Sequence, residues 1–401
     1  MNIVSVREEE PIPFPNDSAP VPALIKVIGA GGGGSNAVDR MIECGLSGVE
    51  FITMNTDIQD LHKNKASTRI QIGSKLTGGR GAGGKPEIGE KAANEDLDKI
   101  KEVVKDTDMV FVTAGMGGGT GTGSAPVIAR AAREAGALTV GVVTKPFDSE
   151  GRYKMKLAEE GIKKLREAVD TLIVIPNQFI FKIIDRQTPL KAALVKADEV
   201  LRQGVQGISD IITTTGLFNP DFADVEATMK GQGDALMGIG YGTGENRAID
   251  AATNAIDNPL LEDTTIEGAT RLLINITGSE ELSAVEMDEA VNYIKAKADA
   301  DVEVILGVCI DPLLGDQIRV TVIATGFQNG SAHSAAKEPL EVKPRENDFI
   351  RFEEWDKIRT QSKSLPPRNY QDVDLEVPTV IRDRTCETGH QDAGHRDVLG
   401  L

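Results

Sequence analysis

Three short runs of this chain cluster glycine, two of them with hydroxyl or amide side chains, the composition of a backbone that approaches an anion closely. Residues 27–37, VIGAGGGGSNA, hold Gly29-x-Gly31-x-x-Gly34 between an apolar run and a helical pattern. Free N–H groups and the positive end of a helix can cradle a phosphate there, as in a dinucleotide fingerprint. Five glycines in six positions exceed what that fingerprint asks for, and Asn36 adds a side-chain donor near the helix start. Residues 115–126, GMGGGTGTGSAP, follow the apolar run DMVFVTA, and the glycine and threonine of Gly117 to Gly123 can form an anion nest without a lysine. Between them, Gly79-x-x-x-x-Gly84-Lys85 imitates a Walker A loop, but Pro86 stands where Ser or Thr would hold magnesium. That run reads either as a loop with a backbone role beside the same ligand or as a plain surface loop. Two phosphate loops on neighbouring strand ends point to a polyphosphate nucleotide.

A fourth segment, NPDFADV, places Asn219, Asp221 and Asp224 just before a helical pattern. Acids in that position cap a helix. His62, His333, His390 and His395 share no metal-ligand spacing with one another or with cysteine, so a structural zinc site is not expected. No Ser-His-Asp or Cys-His arrangement stands out.

The elements that must position these residues are legible as alternating strands and helices. LIKVIG, VEFITMNTD, DMVFVTAG, LTVGVVTKPF and TLIVIPN are continuous apolar runs separated by helical patterns. That grammar predicts a parallel sheet covered on both faces. From Thr188 to Thr214 a stripe at 190, 194, 197, 201, 205, 208 and 212 predicts one helix of about 40 Å, a spine between two halves. Beyond it, a helix near 246–255, the strand RLLINITG, a helix opened by the capping box Ser283-Ala-Val-Glu286, and two further apolar strands predict a smaller α/β domain ending near Phe327. Residues 1–23, with five prolines, and residues from 328 onward lack core-forming periodicity and read as disordered. Inside the tail, DLEVPTVIRDR (374–384) is either a docking peptide or a chance apolar cluster. Trp355, the sole tryptophan, marks either a second docking stretch or a solvated one.

Composition narrows the function classes. A net charge of −18 disfavours nucleic-acid or anionic-membrane binding by the whole chain. Three cysteines without a CxxC pair suit a reducing compartment. No run approaches the apolar length of a membrane span, and the acidic, proline-rich start differs from a signal peptide, so a cytoplasmic protein is expected. A dehydrogenase using NAD at Gly29–Gly34 is the rival reading. It needs an acid at the end of the second strand, where this chain has Asn55, with Asp57 two residues later, and it leaves GGGTGTG without a role.

GGGTGTG resembles the signature of the tubulin/FtsZ superfamily, and the likeness to its FtsZ family runs in order from about Leu24 to Phe327, plus the tail peptide. The resemblance implies an α/β fold: a Rossmann-like GTPase domain with a parallel sheet, a long central helix, a smaller α/β C-terminal domain and a disordered tail. The corresponding boundaries are 1–23 (arm), 24–187 (GTP-binding domain), 188–214 (central helix), 215–327 (polymerisation domain), 328–373 (linker), 374–384 (docking peptide) and 385–401 (end). It implies GTP and GDP as ligands, with Mg2+ carried by the nucleotide and no protein metal site. Gly32, Gly33, Gly34, Ser35 and Asn36, together with Gly119, Thr120 and Gly121, would cradle phosphates. Asn55 would lie near the ribose or phosphate, Gly81, Ala82 and Gly83 near the γ-phosphate, and Glu150 and Lys154 on sugar and phosphate. Asp198 would pair with the guanine edge, with Asn177 nearby. Where the family usually has arginine, Lys154 gives up bidentate geometry. Asn219, Asp221 and Asp224 resemble the loop that reaches the nucleotide of a neighbouring subunit, where the two acids would activate water. The implied partners are further copies of the chain, head to tail; membrane-tethering division adaptors such as FtsA, through residues 374–384; and division-site inhibitors. The resemblance implies neither nucleic acid nor direct membrane insertion, and it places the protein at the mid-cell division site.

Overall fold

The structure is a computed structural model and describes residues 23–185, 187–213, 216–257, 266–298 and 301–327. The anticipated disorder of the arm and tail, and the peptide at 374–384, lie outside the described residues.

The first half alternates as its sequence requires: β1 (Ile25–Ala30), α1 (Gly31–Glu43), β2 (Glu50–Asn55), α2 (Ile58–Lys63), β3 (Thr68–Gln71), α3 (Ser74–Thr77), α4 (Pro86–Glu95), α5 (Leu97–Val104), β4 (Met109–Gly115), α6 (Thr120–Glu134), β5 (Leu138–Lys145), α7 (Arg152–Ala168), β6 (Thr171–Pro176) and α8 (Ile180–Ile183). Then come α9 (Leu190–Thr213), α10 (Phe222–Met229), β7 (Gly233–Gly242), α11 (Arg247–Ile256), β8 (Arg271–Gly278), α12 (Ala284–Lys295), β9 (Glu303–Ile310) and β10 (Ile318–Thr325). Strands lie in the order β3-β2-β1-β4-β5-β6-β7-β10-β8-β9. The run from β3 to β7 is parallel, while β10 is antiparallel to both β7 and β8.

Parallel strands with helices on both faces read as unbroken apolar runs because every side chain is buried. In β4, Val110 and Val112 enter the core under α4–α7, whereas Met109 and Phe111 enter the core under α1 and α9. Strand order reverses direction between β1 and β4, and an open parallel sheet binds its ligand at the strand C-termini beside such a switch point. Here Ala30 pairs with Ala114, so α1 and α6 start side by side.

Two parts of the fold escape periodicity. The strand β7, GDALMGIGYG, carries four glycines and is absent from the elements expected of the sequence. Gly240 and Gly242 are there because α11 lies directly on the strand: a Cβ on either would overlap the carbonyl of Ala251 or Arg247. Pro86, which removes the Walker likeness, opens α4 in its first turn, where the missing N–H costs nothing.

The capping box read from Ser283 and Glu286 is formed. Glu286 N–H donates to Ser283 Oγ at 3.2 Å, and Ser283 N–H donates to Glu286 Oε2 at 2.9 Å. Glu286 also receives Arg247 Nε at 2.6 Å, and the nearly buried Arg247 reaches Asp316 Oδ1 at 2.8 Å. Arg247 and the serine cap hold the Glu286 carboxyl down to about 2. A depressed carboxylate stabilises the fold above its ordinary pKa of about 4.5, and that contribution is lost as pH falls through about 2. Glu286→Gln, which keeps the cap, is therefore expected to flatten the stability loss between pH 5 and 2 in chemical denaturation. Arg247→Ala should cost about 2–4 kcal/mol, because it removes a nearly buried side chain and leaves the largely buried Glu286 carboxylate without its cation.

Candidate nucleotide site

The crevice at the switch point has a volume of about 420 Å³. Its floor is made by two helix N-termini. Gly32, Gly33 and Asn36 come from α1, and Gly119, Thr120 and Gly121 from the start of α6. A helix start leaves orphan N–H groups that a side-chain cap or first-turn acid ordinarily satisfies. Neither α1 nor α6 has a side-chain cap, and neither has an acid in its first turn. Two unsatisfied positive helix ends converging on one cavity suit a polyanion.

The local sequence explains why so many glycines are needed. The first turn of α1 rests on the β4–α6 connection: a Cβ on Gly31 would lie 2.6 Å from Gly121 N, and one on Gly33 would lie 3.0 Å from Gly115 N. A Cβ on Gly34 would overlap the Thr113 carbonyl. Of the two glycines beyond the dinucleotide fingerprint, Gly33 serves the packing of one loop on the other, whereas a Cβ on Gly32 would meet only Asp60 Oδ2, at 3.7 Å. Gly31–Gly34 are already helical, so the expected glycine turn is the first turn of α1 itself. The threonines of GGGTGTG also have structural partners. Thr120 Oγ1 bonds Thr56 Oγ1 at 2.6 Å, and Gly117 N–H donates to Thr122 Oγ1 at 2.8 Å, which leaves Gly118 and Gly119 as the part of the loop that faces the crevice.

A second wall comes from α9, whose Leu194, Ala197, Asp198 and Leu201 occupy i, i+3, i+4 and i+7 and so share one face. Three apolar side chains around one carboxylate can take a planar base by its faces and read its hydrogen-bonding edge. Burial pushes the Asp198 carboxyl up to about 6, against the opposing charge of Arg40. Asn177 lines the crevice with a buried Oδ1 that has no partner among the described residues, an acceptor waiting for a donor. Glu150 and Lys154 also line it and form an ion pair with each other. Asn55 is buried at the end of β2, where its Oδ1 accepts from Asp57 N–H at 3.3 Å.

Of the residues expected at the ligand, the crevice thus gathers Gly32, Gly33, Asn36, Asn55, Gly119, Thr120, Gly121, Glu150, Lys154, Asn177 and Asp198. Gly34 and Ser35 lie beneath it, packed inside the first turn of α1. Ala82 stands behind Gly119, where a Cβ would meet Ala82 Cβ at 2.9 Å; neither Ala82 nor Gly83 is in the lining, and Gly81 is the member of that loop that lines the cavity. Sequence reasoning passed over Asp57 and Asp60, which also line it. Their signal was their position directly after the second strand.

Asn219, Asp221 and Asp224 are not in this lining. They follow the far end of α9, and Asp198 is separated from Thr213 by about 22 Å of helix rise. Asp221 Oδ1 accepts from Asp224 N–H at 2.9 Å and Asp224 Oδ2 accepts from Asp221 N–H at 3.3 Å, a reciprocal capping box on α10. Asn219 Oδ1 accepts from Gly216 N–H at 2.9 Å. Each acid keeps one carboxylate oxygen outside these bonds. Among the described residues no group of three His, Cys, Asp or Glu side chains could hold a metal ion, and no helix is long and apolar enough to cross a membrane.

Fold and crevice together define a tubulin-like GTPase: residues 24–185 match the Tubulin/FtsZ family GTPase domain, and residues 233–328 match the FtsZ family C-terminal domain. An FtsZ dimer structure from M. jannaschii is 47% identical, with 77% of this chain and 89% of that chain covered at a TM-score of 0.73. GDP-bound CetZ1 from Haloferax volcanii shares the fold at 23% identity and a TM-score of 0.66, covering 77% of this chain and 96% of that chain. The chain belongs to the FtsZ family.

Proposed function

We propose that this GTPase polymerises head to tail, hydrolyses GTP at the contact between subunits, and forms the cytokinetic ring of a bacterial cell, recruiting adaptors through residues 374–384. The observation that carries the reading is the separation of crevice and acidic loop along α9. An incomplete crevice at one end of a helix and free carboxylate oxygens at the other meet only when a second copy stacks on the first, a heterologous contact that produces open filaments. The M. jannaschii FtsZ relative, solved as a dimer, supports self-association.

Within one crevice, the N–H groups opening α1 and α6 would hold the phosphates, Lys154 and Glu150 the sugar and phosphate region, and Asp198 with Asn177 the base. Asp221 and Asp224 of the next subunit would orient the attacking water and accept its proton, with Asn219 shaping their turn. Mg2+ would arrive on the nucleotide and neutralise phosphoryl charge. The described residues supply no cage for it, although Asp57 and Asp60 are carboxylates at the glycine end of the crevice. The boundaries 24–187, 188–214 and 215–327 serve as nucleotide-binding, coupling and polymerising parts. A cytoplasmic address at mid-cell follows from this role.

GTP turnover measured against protein concentration with Mg2+, with pelleting to score polymer, tests the proposal. Specific activity should be near zero below a threshold and rise steeply above it, in step with pelletable protein. Activity per molecule that is flat with concentration would mean a self-contained site.

A further inference from the structure

A second cavity, of about 620 Å³, opens at the opposite end of the sheet from the nucleotide crevice, at the N-terminal ends of β1 and β2. Its apolar walls are Leu24, Val49, Phe51 and Ile212, with Ser67 on the rim. All four apolar residues keep partial exposure, and Leu24 is 42% exposed. The cavity is built rather than incidental. Gly48, at φ +76, lets the α1–β2 turn close on the last turn of α9, where a Cβ would lie 2.7 Å from Thr213 Cβ.

The chain itself enters through this cavity. Ala23, the first described residue, is part of the wall. Leu24 is pinned beside it: its N–H donates to Asp108 Oδ2 at 2.7 Å and its carbonyl accepts from Asp108 N–H at 3.0 Å. The described chain therefore begins within the groove, and residues 11–22 come directly before it. They read PIPFPNDSAPVP and carry Ile12, Phe14 and Val21 among five prolines. Proline removes backbone donors, so such a segment can lie on an apolar surface without burying unsatisfied N–H groups, as polyproline ligands do in aromatic grooves. Ten residues separate Phe14 from Leu24, about 31 Å of polyproline II rise, enough to return a side chain to any point of the wall.

We propose that residues 12–21 of the same chain dock in this groove, with Phe14 seated between Phe51 and Ile212, so that the N-terminal arm braces the last turn of α9. The inference stands apart from the nucleotide chemistry, since it uses neither the crevice nor residues 219–224.

Tryptophan fluorescence of the full-length protein with GDP tests it. The chain has one tryptophan, Trp355, so a Trp355→Phe, Phe14→Trp variant reports on the arm alone. Docking predicts a blue-shifted emission shielded from acrylamide, and a return to solvated emission when Val49→Lys or the rim change Ser67→Arg is added. GDP binding and circular dichroism of each variant establish that the body remains folded. Solvated emission before either groove change, or a blue shift that both leave untouched, overturns the proposal. A blue shift that fades on dilution assigns the groove to a second copy and overturns docking within the chain.

Discussion

Asp198→Asn is expected to exchange guanine for xanthine specificity, with GTP affinity falling by about 10²–10⁴ and XTP binding recovering much of the loss. Under the proposed assignment, the carboxylate accepts from both the ring N–H and the amino group of guanine. An asparagine amide offers one acceptor and one donor, which clashes with the amino group and matches the second carbonyl of xanthine. The carboxyl sits near 6 in the free protein, so guanine binding by the wild type should weaken about tenfold per unit of pH below that point. The asparagine variant should lack this limb, and the comparison removes titration of the nucleotide itself. Stability moves the other way. A raised carboxyl contributes fully below its ordinary 3.8 and its contribution is lost as pH rises through about 6, so the wild type carries a burial penalty at neutral pH that asparagine relieves. Partial exposure reduces the gain to about 1 kcal/mol in the nucleotide-free protein. Calorimetric titration with GTP and XTP, together with melts of the free protein, reads both effects; undiminished GTP binding by the variant would end the assignment.

What could be read before the structure follows from which forces leave a one-dimensional trace. The β1–α1 and β4–α6 units were legible because buried parallel strands are continuous apolar runs and because glycine at a strand end is rare without cause. The stripe on α9 was legible for the same reason, although Leu194 turned out to be 47% exposed in the crevice wall rather than buried in the core. Glu150 and Lys154 are joined to each other by i, i+4 spacing, but nothing in the sequence joins that pair to Asn177 or to the crevice; all three entered only through family resemblance. Contacts between loops leave no period at all. That is why neither the packing of Gly34 on Thr113 nor the partners of the two threonine hydroxyls in GGGTGTG could be read in advance. The glycine-rich β7 was illegible because its reason lies in α11, which presses on it.

Asp221→Asn and Asp224→Asn are expected to lower GTP turnover by 10²-fold or more while GTP binding, polymer and stability stay near wild type. The choice of asparagine matters because both acids form the capping box of α10, and alanine would remove a cap worth about 0.5–2 kcal/mol together with any catalytic group. Asparagine keeps an acceptor for each capped N–H and removes only the charge and basicity a water would need. If these positions act solely as caps, both variants hydrolyse normally, and the shared-site mechanism fails. Mixing makes the test sharper. An Asp198→Asn chain lacks a GTP crevice but keeps its acids, and an Asp224→Asn chain lacks an acid but keeps its crevice, so neither turns over GTP alone. In a filament formed at random from equal parts, about one contact in four joins an intact crevice to an intact loop. Turnover should therefore return to about a quarter of the wild-type rate, whereas a site contained within one chain gives no recovery at any ratio.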